Sequence, residues 1–312
     1  MNKEVILSSG ADQNTSTEAR SVTNFITDLK SLFKSFVLIA NVLPVFVGFW
    51  LALHFTNTSI MAHLDVLLLT IAGSTILIAG ALVLNNWYDV DIDTVMERTK
   101  NRPTVTGNFS LNAVLVLGIA LSIIGMILLF FTTFEAAIYA FIGWFVYVVP
   151  YTMWSKRKYT LNTVIGSVSG AVTPLIGWAA ITPAFHIVPI VLFIILFIWQ
   201  MPHTFAIAMK KYEEYKAAGV KMLPVVYGFN MTKRQIAVYV VCLLPLPFYL
   251  VSLGMTFVVI ATLLNIGFLA VSLFGFFTKN DIKWANIVFL YSVNYLAILF
   301  LLMIIVTLPT LT

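Results

Sequence analysis

Residues 64–86 read LDVLLLTIAGSTILIAGALVLNN, and the chain runs straight on as Trp87-Tyr88-Asp89-Val90-Asp91-Ile92-Asp93. Apart from Asp65 the first run carries no charge, and an apolar helix of about 20 residues crosses a hydrocarbon core. It closes on amides and carboxylates rather than on a neutral turn. The apolar part decides the fold class, and the polar end carries the chemistry.

Eight further runs of similar length flank it, at 35–53, 111–131, 135–152, 163–182, 186–208, 235–253, 256–277 and 285–307. Between 111 and 152 the only interruption is a short polar break at Thr132, Thr133 and Glu135. Of the 312 residues, 60% are hydrophobic and 10% charged, whereas a soluble domain carries about 25% charged residues. So few polar groups do not cover a water-exposed surface, which excludes a soluble protein. Continuous apolar runs also exclude a membrane β-barrel, whose strands alternate. The expectation is an all-α polytopic membrane protein of about nine transmembrane helices. A polar tail occupies 1–34 and the membrane domain 35–308. Cys242 is the one cysteine, so a disulfide framework or a cysteine metal cluster is out of reach.

The basic residues are sorted by side. Counting from the N-terminal tail, alternate connections hold four, three, three, six and two Lys or Arg, together all 18 in the chain. The opposite side has His54, His63, His186, Asp65 and Glu135. The positive-inside rule then places the N-terminus in the cytoplasm and the C-terminus outside. The tail mixes Glu4, Asp12, Glu18 and Asp28 with Lys3, Arg20, Lys30 and Lys34, which suits neither a secretory signal nor a transit peptide. It reads as a flexible cytoplasmic segment in a bacterial inner membrane. The net charge of +5 therefore reports topology in a lipid bilayer and not nucleic-acid binding. The two longest connections, 87–110 and 209–234, follow the second and sixth spans, the spacing of an internal duplication.

Asn85, Asp89 and Asp93 stand at i, i+4 and i+8. At about 100° per residue each step drifts by roughly 40°, so the three side chains share one helix face and Asp91 points elsewhere. Carboxylates one turn apart repel unless a cation sits between them, and a row of oxygen donors suits a hard cation such as Mg²⁺. Arg98, Lys100 and Arg102 follow directly. Acids that hold a metal, beside bases that take further oxygens, fit a polyanion such as a diphosphate. The bland alternative is a solvated membrane exit whose bases only set topology. The in-line Asn85 and the basic segment favour the first reading.

The pattern Asn85-x3-Asp89-x3-Asp93-x4-Arg98-Thr99-x2-Arg102-Pro103 resembles the first signature of the UbiA-type intramembrane prenyltransferases. Other segments resemble the haem O synthase branch of that family. They are Tyr151-Thr152 with Lys156-Arg157, Asn162-x3-Gly166-x3-Gly170-Ala171-x2-Pro174-x2-Gly177-Trp178, Trp199-Gln200-Met201-Pro202-His203, and Ala218 through Val226. The likeness extends over roughly residues 35–305. Thr173 stands where the branch often has the first of two prolines, and Glu213-Glu214-Tyr215 where it often has Asp-Asp-Tyr. Glu keeps the charge but reaches one methylene further.

The resemblance implies a bundle around a central cavity. It also implies transfer of a farnesyl group from farnesyl diphosphate to a vinyl side chain of protohaem IX (haem B), giving haem O for a haem–copper oxidase. In its terms Asn85, Asp89 and Asp93 hold Mg²⁺, Arg98, Lys100 and Arg102 take diphosphate oxygens, and Glu213 and Glu214 are further metal ligands. Tyr151, Asn162, Gly166, Gly170 and His203 are its haem-site candidates, and a haem A synthase is a downstream partner. The residues themselves also admit plainer roles. The stripe Asn162, Gly166, Gly170, Pro174 serves a neighbouring helix or a flat macrocycle. Pro202 frees a backbone carbonyl that His203 or Gln200 would satisfy, against a role for His203 as iron ligand or proton acceptor. Lys210, Lys211, Glu213 and Glu214 equally suit a solvated helix end.

Prenylation of an aromatic quinone precursor fits the first signature but not the 162–178 and 199–226 segments. A secondary transporter predicts ionisable groups deep within its spans, whereas here they cluster at helix ends. A haem-carrying membrane protein calls for facing histidines at membrane depth, and only His203 is placed for that.

Overall fold

The computed structural model describes residues 25–308, and every regular element among them is helical. The principal ones, in chain order, are α1 (Ser35–Thr56), α2 (Leu64–Tyr88), α3 (Val90–Val95), α4 (Pro103–Thr106), α5 (Leu111–Phe130), α6 (Phe134–Val146), α7 (Asn162–Ala171), α8 (Thr173–Ala179), α9 (Ile187–Lys210), α10 (Tyr212–Ala217), α11 (Leu223–Leu243), α12 (Met255–Phe274) and α13 (Asp281–Val306). A π-helical turn, Tyr147–Ser155, prolongs α6, and a 3₁₀ stretch, Leu246–Leu253, follows α11. Polar residues start the spans where the sequence breaks. The side chains of Ser110, Thr133 and Asn280 each accept the N–H three residues on, satisfying a donor that the helix leaves free.

Eight stretches among the described residues are long and apolar enough to cross a membrane, and the chain is a membrane protein. Phe36, Phe185, Phe277 and Met61 are among the many large apolar side chains left on the outside, a surface for lipid. The fifth expected span, 163–182, is instead built as two short helices, α7 and α8, meeting at Val172. Pro174 is the cause. It sits in the first turn of α8, where its missing N–H is harmless, but it leaves the Gly170 carbonyl without its helical donor. The Thr173 hydroxyl donates to that carbonyl at 2.6 Å. The break lets α8 lie against α1 backbone to backbone. A Cβ on Gly48 would sit 2.0 Å from the Pro174 carbonyl oxygen, and one on Gly177 only 1.8 Å from that of Val45.

The core runs along α9, which packs on α7, α11 and α13, while α2 lies along α5. Ile195 and Met201 of α9 are fully buried, together with Phe49, Trp178, Phe257 and Trp284. Two boundaries differ from expectation. The helix expected from residue 235 begins at Leu223 and bends at Gly228, whose φ of 78° no other residue type takes easily. This gives Lys233 a buried place, with Nζ 2.5 Å from Asp281 Oδ1 at the start of α13. Of the tail expected over 1–34, residues 1–24 lie outside the described residues. Residues 25–34 are not free: Leu32 is buried against Val83 and Val114, and Asn86 donates to its carbonyl at 2.6 Å.

Candidate active site

The acid face is real in the structure. Asp89 is the joint between α2 and α3. Its N–H bonds to the Asn85 carbonyl at 3.0 Å, and the Asp93 N–H bonds to the Asp89 carbonyl at 2.9 Å. Helical register therefore passes through the joint, and Asn85, Asp89 and Asp93 stay in line. They are 3%, 1% and 3% exposed, whereas Asp91 faces solvent. Asn85 Nδ2 donates to Asp89 Oδ2 at 2.7 Å and to Thr152 Oγ1 at 3.1 Å.

Four cations close on this face, and only one of them was singled out by sequence. Arg102 pairs with Asp93 through Nη1, as the basic segment suggested. Lys156 Nζ donates to Asp89 Oδ2, and Lys34 Nζ to Asn85 Oδ1. Arg157 holds Asp91 with a two-pronged grip at 2.6 and 2.7 Å, bonds the Tyr88 carbonyl at 3.0 Å, and lies 3.6 Å from Asp89 Oδ1. That grip lowers the Asp91 carboxyl below its ordinary pKa. Burial, with Arg102 and Lys156 close by, holds the Lys34 amine well below the usual lysine range. In the sequence the basic run at 156–158 counted as a topology signal, with Lys156-Arg157 also part of the family resemblance but given no role at the site, and Lys34 counted as tail. Of the other predicted bases, Arg98 is exposed on the same loop and Lys100 pairs outward with Glu97 at 2.6 Å.

The π turn brings Lys156 here. Pro150 lies inside it and lacks the N–H that an α-helix would use, and wider turns of this kind recur at functional sites. It also turns Tyr147 and Tyr151 inward, with ring centroids 5.5 Å apart. Both line a cavity, and Thr152, next to Tyr151, accepts the hydrogen bond from Asn85 of the acid face. Its α2–α6 wall is apolar (Leu77, Ala81, Ala140, Trp144), and its α7–α9 wall is polar (Thr163, Ser167, Thr173, Gln200). Among the haem-site candidates, Tyr151 and Gly166 line this cavity, and the Tyr151 ring lies where a Gly166 Cβ would be. Gly170 makes room for the Gln200 amide, which donates to the Ser167 and Leu196 carbonyls at 3.1 and 2.9 Å. Asn162 is a brace, fully buried and donating to the Lys156 and Lys221 carbonyls.

His203 turns the other way. Its Nδ1 lies 2.9 Å from Ser292 Oγ on α13, and its ring stacks on Trp199 at 4.8 Å and meets Phe289 at 5.3 Å. Neither His203 nor Gln200 bonds the Ile198 carbonyl that Pro202 frees. Glu213 and Glu214 line a separate recess with Lys210, Lys211, Phe229 and Asp281, and Glu214 pairs with Lys211 at 2.7 Å. From α10 it is Tyr215 that feels the charges of Arg98 and Lys156, and burial raises its hydroxyl pKa.

The acid face fits a divalent cation. Asp89 Oδ1 is buried and accepts no hydrogen bond, and the donors are all oxygens. No group of three or more His, Cys, Asp or Glu converges as a metal cluster among the described residues. Two carboxylates and an amide call for further oxygens from water and phosphate, the usual way Mg²⁺ is held.

Acids, cations and an intramembrane cavity thus lie together in one helical fold, and that fold and sequence have known relatives. The chain belongs to the UbiA prenyltransferase family, which it matches over residues 41–294. It is 57% identical over 311 residues to the protoheme IX farnesyltransferase of Oceanobacillus iheyensis, covering 99% of each chain. It superposes on a digeranylgeranylglyceryl phosphate synthase with a TM-score of 0.72 at 20% identity, covering 90% of this chain and 98% of that one. A UbiA homologue from Archaeoglobus fulgidus bound to GPP and Mg²⁺ gives 0.64 at 16% identity, with 88% and 99% covered. These two structures share the fold.

Proposed function

We propose that the chain transfers the farnesyl group of farnesyl diphosphate to a vinyl carbon of haem B, giving haem O, in a bacterial cell membrane. The observation that carries this is the acid face itself: Asp89 is bonded to Lys156 through one oxygen, the other is buried and accepts no hydrogen bond, and Asn85 bonds Thr152 next to the cavity-lining Tyr151. The 57% identity to a protoheme IX farnesyltransferase supports the acceptor.

The allylic C–O bond of the donor breaks, and its electron pair leaves with the diphosphate. Lys34, Arg102, Lys156 and Arg157 exchange protein oxygens for diphosphate oxygens as that charge grows, a form of stabilisation strongest in a preorganised site. Asn85, Asp89 and Asp93 would hold Mg²⁺, which supplies Lewis-acid stabilisation of the same charge. Tyr147 and Tyr151 offer aromatic surface to the allylic cation. The haem vinyl terminus attacks the cation. Water then adds to the inner vinyl carbon and loses a proton, leaving a hydroxyl on the product. The polar α7–α9 wall suits the porphyrin side and the apolar α2–α6 wall the farnesyl tail.

The segregation of 18 basic residues puts the acid face on the cytoplasmic side. Reporter fusions at Thr58 and Gly219 should then report opposite sides, and equal sidedness would overturn the orientation. A haem A synthase is the proposed recipient of the product. The catalytic reading is tested by pyrophosphate release from farnesyl diphosphate and Mg²⁺, which should depend on haem B; equal release without haem would contradict it.

A further inference from the structure

The central cavity shares a wall with an apolar groove on the outer surface of the bundle. On the cavity side the wall is formed by Leu77, Ala81, Gly143 and Trp144. Leu77 and Trp144 line the groove as well, with Ser122, Met126 and Phe130 of α5 and Phe141 of α6. Trp144 is the partition between the two spaces. Its Nε1 donates to Ser122 Oγ at 2.9 Å, and that hydroxyl donates to the Gly118 carbonyl at 2.7 Å. Phe141 stacks on the indole at 6.2 Å and 26°. Ser122 is the one buried polar side chain of α5, so the clamp has a dedicated residue.

The depth fits a stop. Trp144, near the end of α6, lies eight residues before Thr152 of the π turn, which Asn85 bonds, roughly 10 Å of helix away, and Leu77 lies eight residues before Asn85 on α2, about 12 Å from it. From that level the groove continues away from the acid face, from Ser122 to Phe130 along α5. A chain anchored by its diphosphate and running down the α2–α6 wall meets the indole there.

We infer that Trp144, clamped by Ser122, sets the longest isoprenyl tail that the enzyme accepts. A smaller side chain joins the cavity to the groove and gives an additional isoprene unit a path. This rests on the reading of the cavity as the donor's, so both are tested together. Wild type, Trp144→Ala and Ser122→Ala are each assayed with haem B, Mg²⁺ and either farnesyl or geranylgeranyl diphosphate. The ratio of kcat/KM for geranylgeranyl over farnesyl should rise about tenfold or more in Trp144→Ala, and by less in Ser122→Ala, which frees the ring without removing it. A ratio within about twofold of wild type in both variants, with farnesyl transfer still measurable, overturns the inference and leaves the proposed function standing. No farnesyl transfer by wild type overturns the function itself. If Trp144→Ala does not fold, Trp144→Phe loses the Ser122 bond and part of the bulk, and the same twofold limit, about the precision of such ratios, decides.

Discussion

Lys156 Nζ bonds Asp89 Oδ2 across 67 residues of sequence, while Asp89 Oδ1, buried beside it, accepts no hydrogen bond. One carboxylate therefore marks two adjacent places, one bonded to a cation that diphosphate would attract and one, with Arg157 3.6 Å away, that has no hydrogen bond to give up to a metal. The π turn around Pro150 sets this pairing, because it aims Lys156 back at the end of α2.

Asp89→Asn and Asp93→Asn should each lower farnesyl transfer by at least about 100-fold, the scale of losing one preorganised electrostatic partner. Helical content and size-exclusion behaviour should stay as in wild type. Near-normal turnover in either variant would remove the acid face from the mechanism.

Arg157→Lys keeps the charge but gives up the planar fork that holds Asp91 and the Tyr88 carbonyl. The KM for farnesyl diphosphate should rise about tenfold or more, as expected for lost charged hydrogen bonds. An unchanged KM would show that Arg157 only anchors the loop.

Lys34 carries a pH signature. Its folded pKa lies well below the ordinary value because of burial and the nearby cations. A bound polyanion favours the ammonium form and raises that pKa. Diphosphate binding should therefore take up protons in the window between the free and bound pKa values, and affinity should fall as pH rises through it. Calorimetry of inorganic pyrophosphate binding in buffers of different ionisation enthalpy reads the uptake directly. Lys34→Met should abolish it, and an equal uptake in that variant would place the proton elsewhere.

Gly177→Ala tests the packing of α8 on α1. With the Val45 carbonyl oxygen 1.8 Å from the new Cβ, one helix must move, at a cost of about 1–3 kcal/mol. The thermal midpoint in detergent should drop, and an unshifted midpoint would mean that the two backbones lie further apart.

Most of the helices were legible because long apolar runs leave the backbone no other way to satisfy its hydrogen bonds in lipid. The acid face was legible for a related reason: a spacing of four residues fixes a common side whatever the tertiary fold. The break at Val172 was hidden because Thr173 and Pro174 look like interior residues of one apolar run, although the proline acts as a first-turn residue. The place of Lys34, Lys156 and Arg157 at the acid face was missed, although Lys156-Arg157 belonged to the resemblance, because periodicity describes one helix at a time and these residues meet Asn85, Asp89 and Asp91 only through the packing of distant segments. Their sequence signal, basic residues at a membrane boundary, is shared with residues that only orient the chain. His203 was attractive as an isolated intramembrane histidine, yet its contacts with Ser292, Trp199 and Phe289 tie α9 to α13.

Transfer of farnesyl to haem is read from the product itself. Purified protein in detergent is given Mg²⁺, farnesyl diphosphate and either haem B or 4-hydroxybenzoate, and the products are separated and weighed by mass spectrometry. The expected product is haem B carrying one farnesyl group and one hydroxyl group, with the benzoate unchanged. Prenylated benzoate with unmodified haem would contradict it.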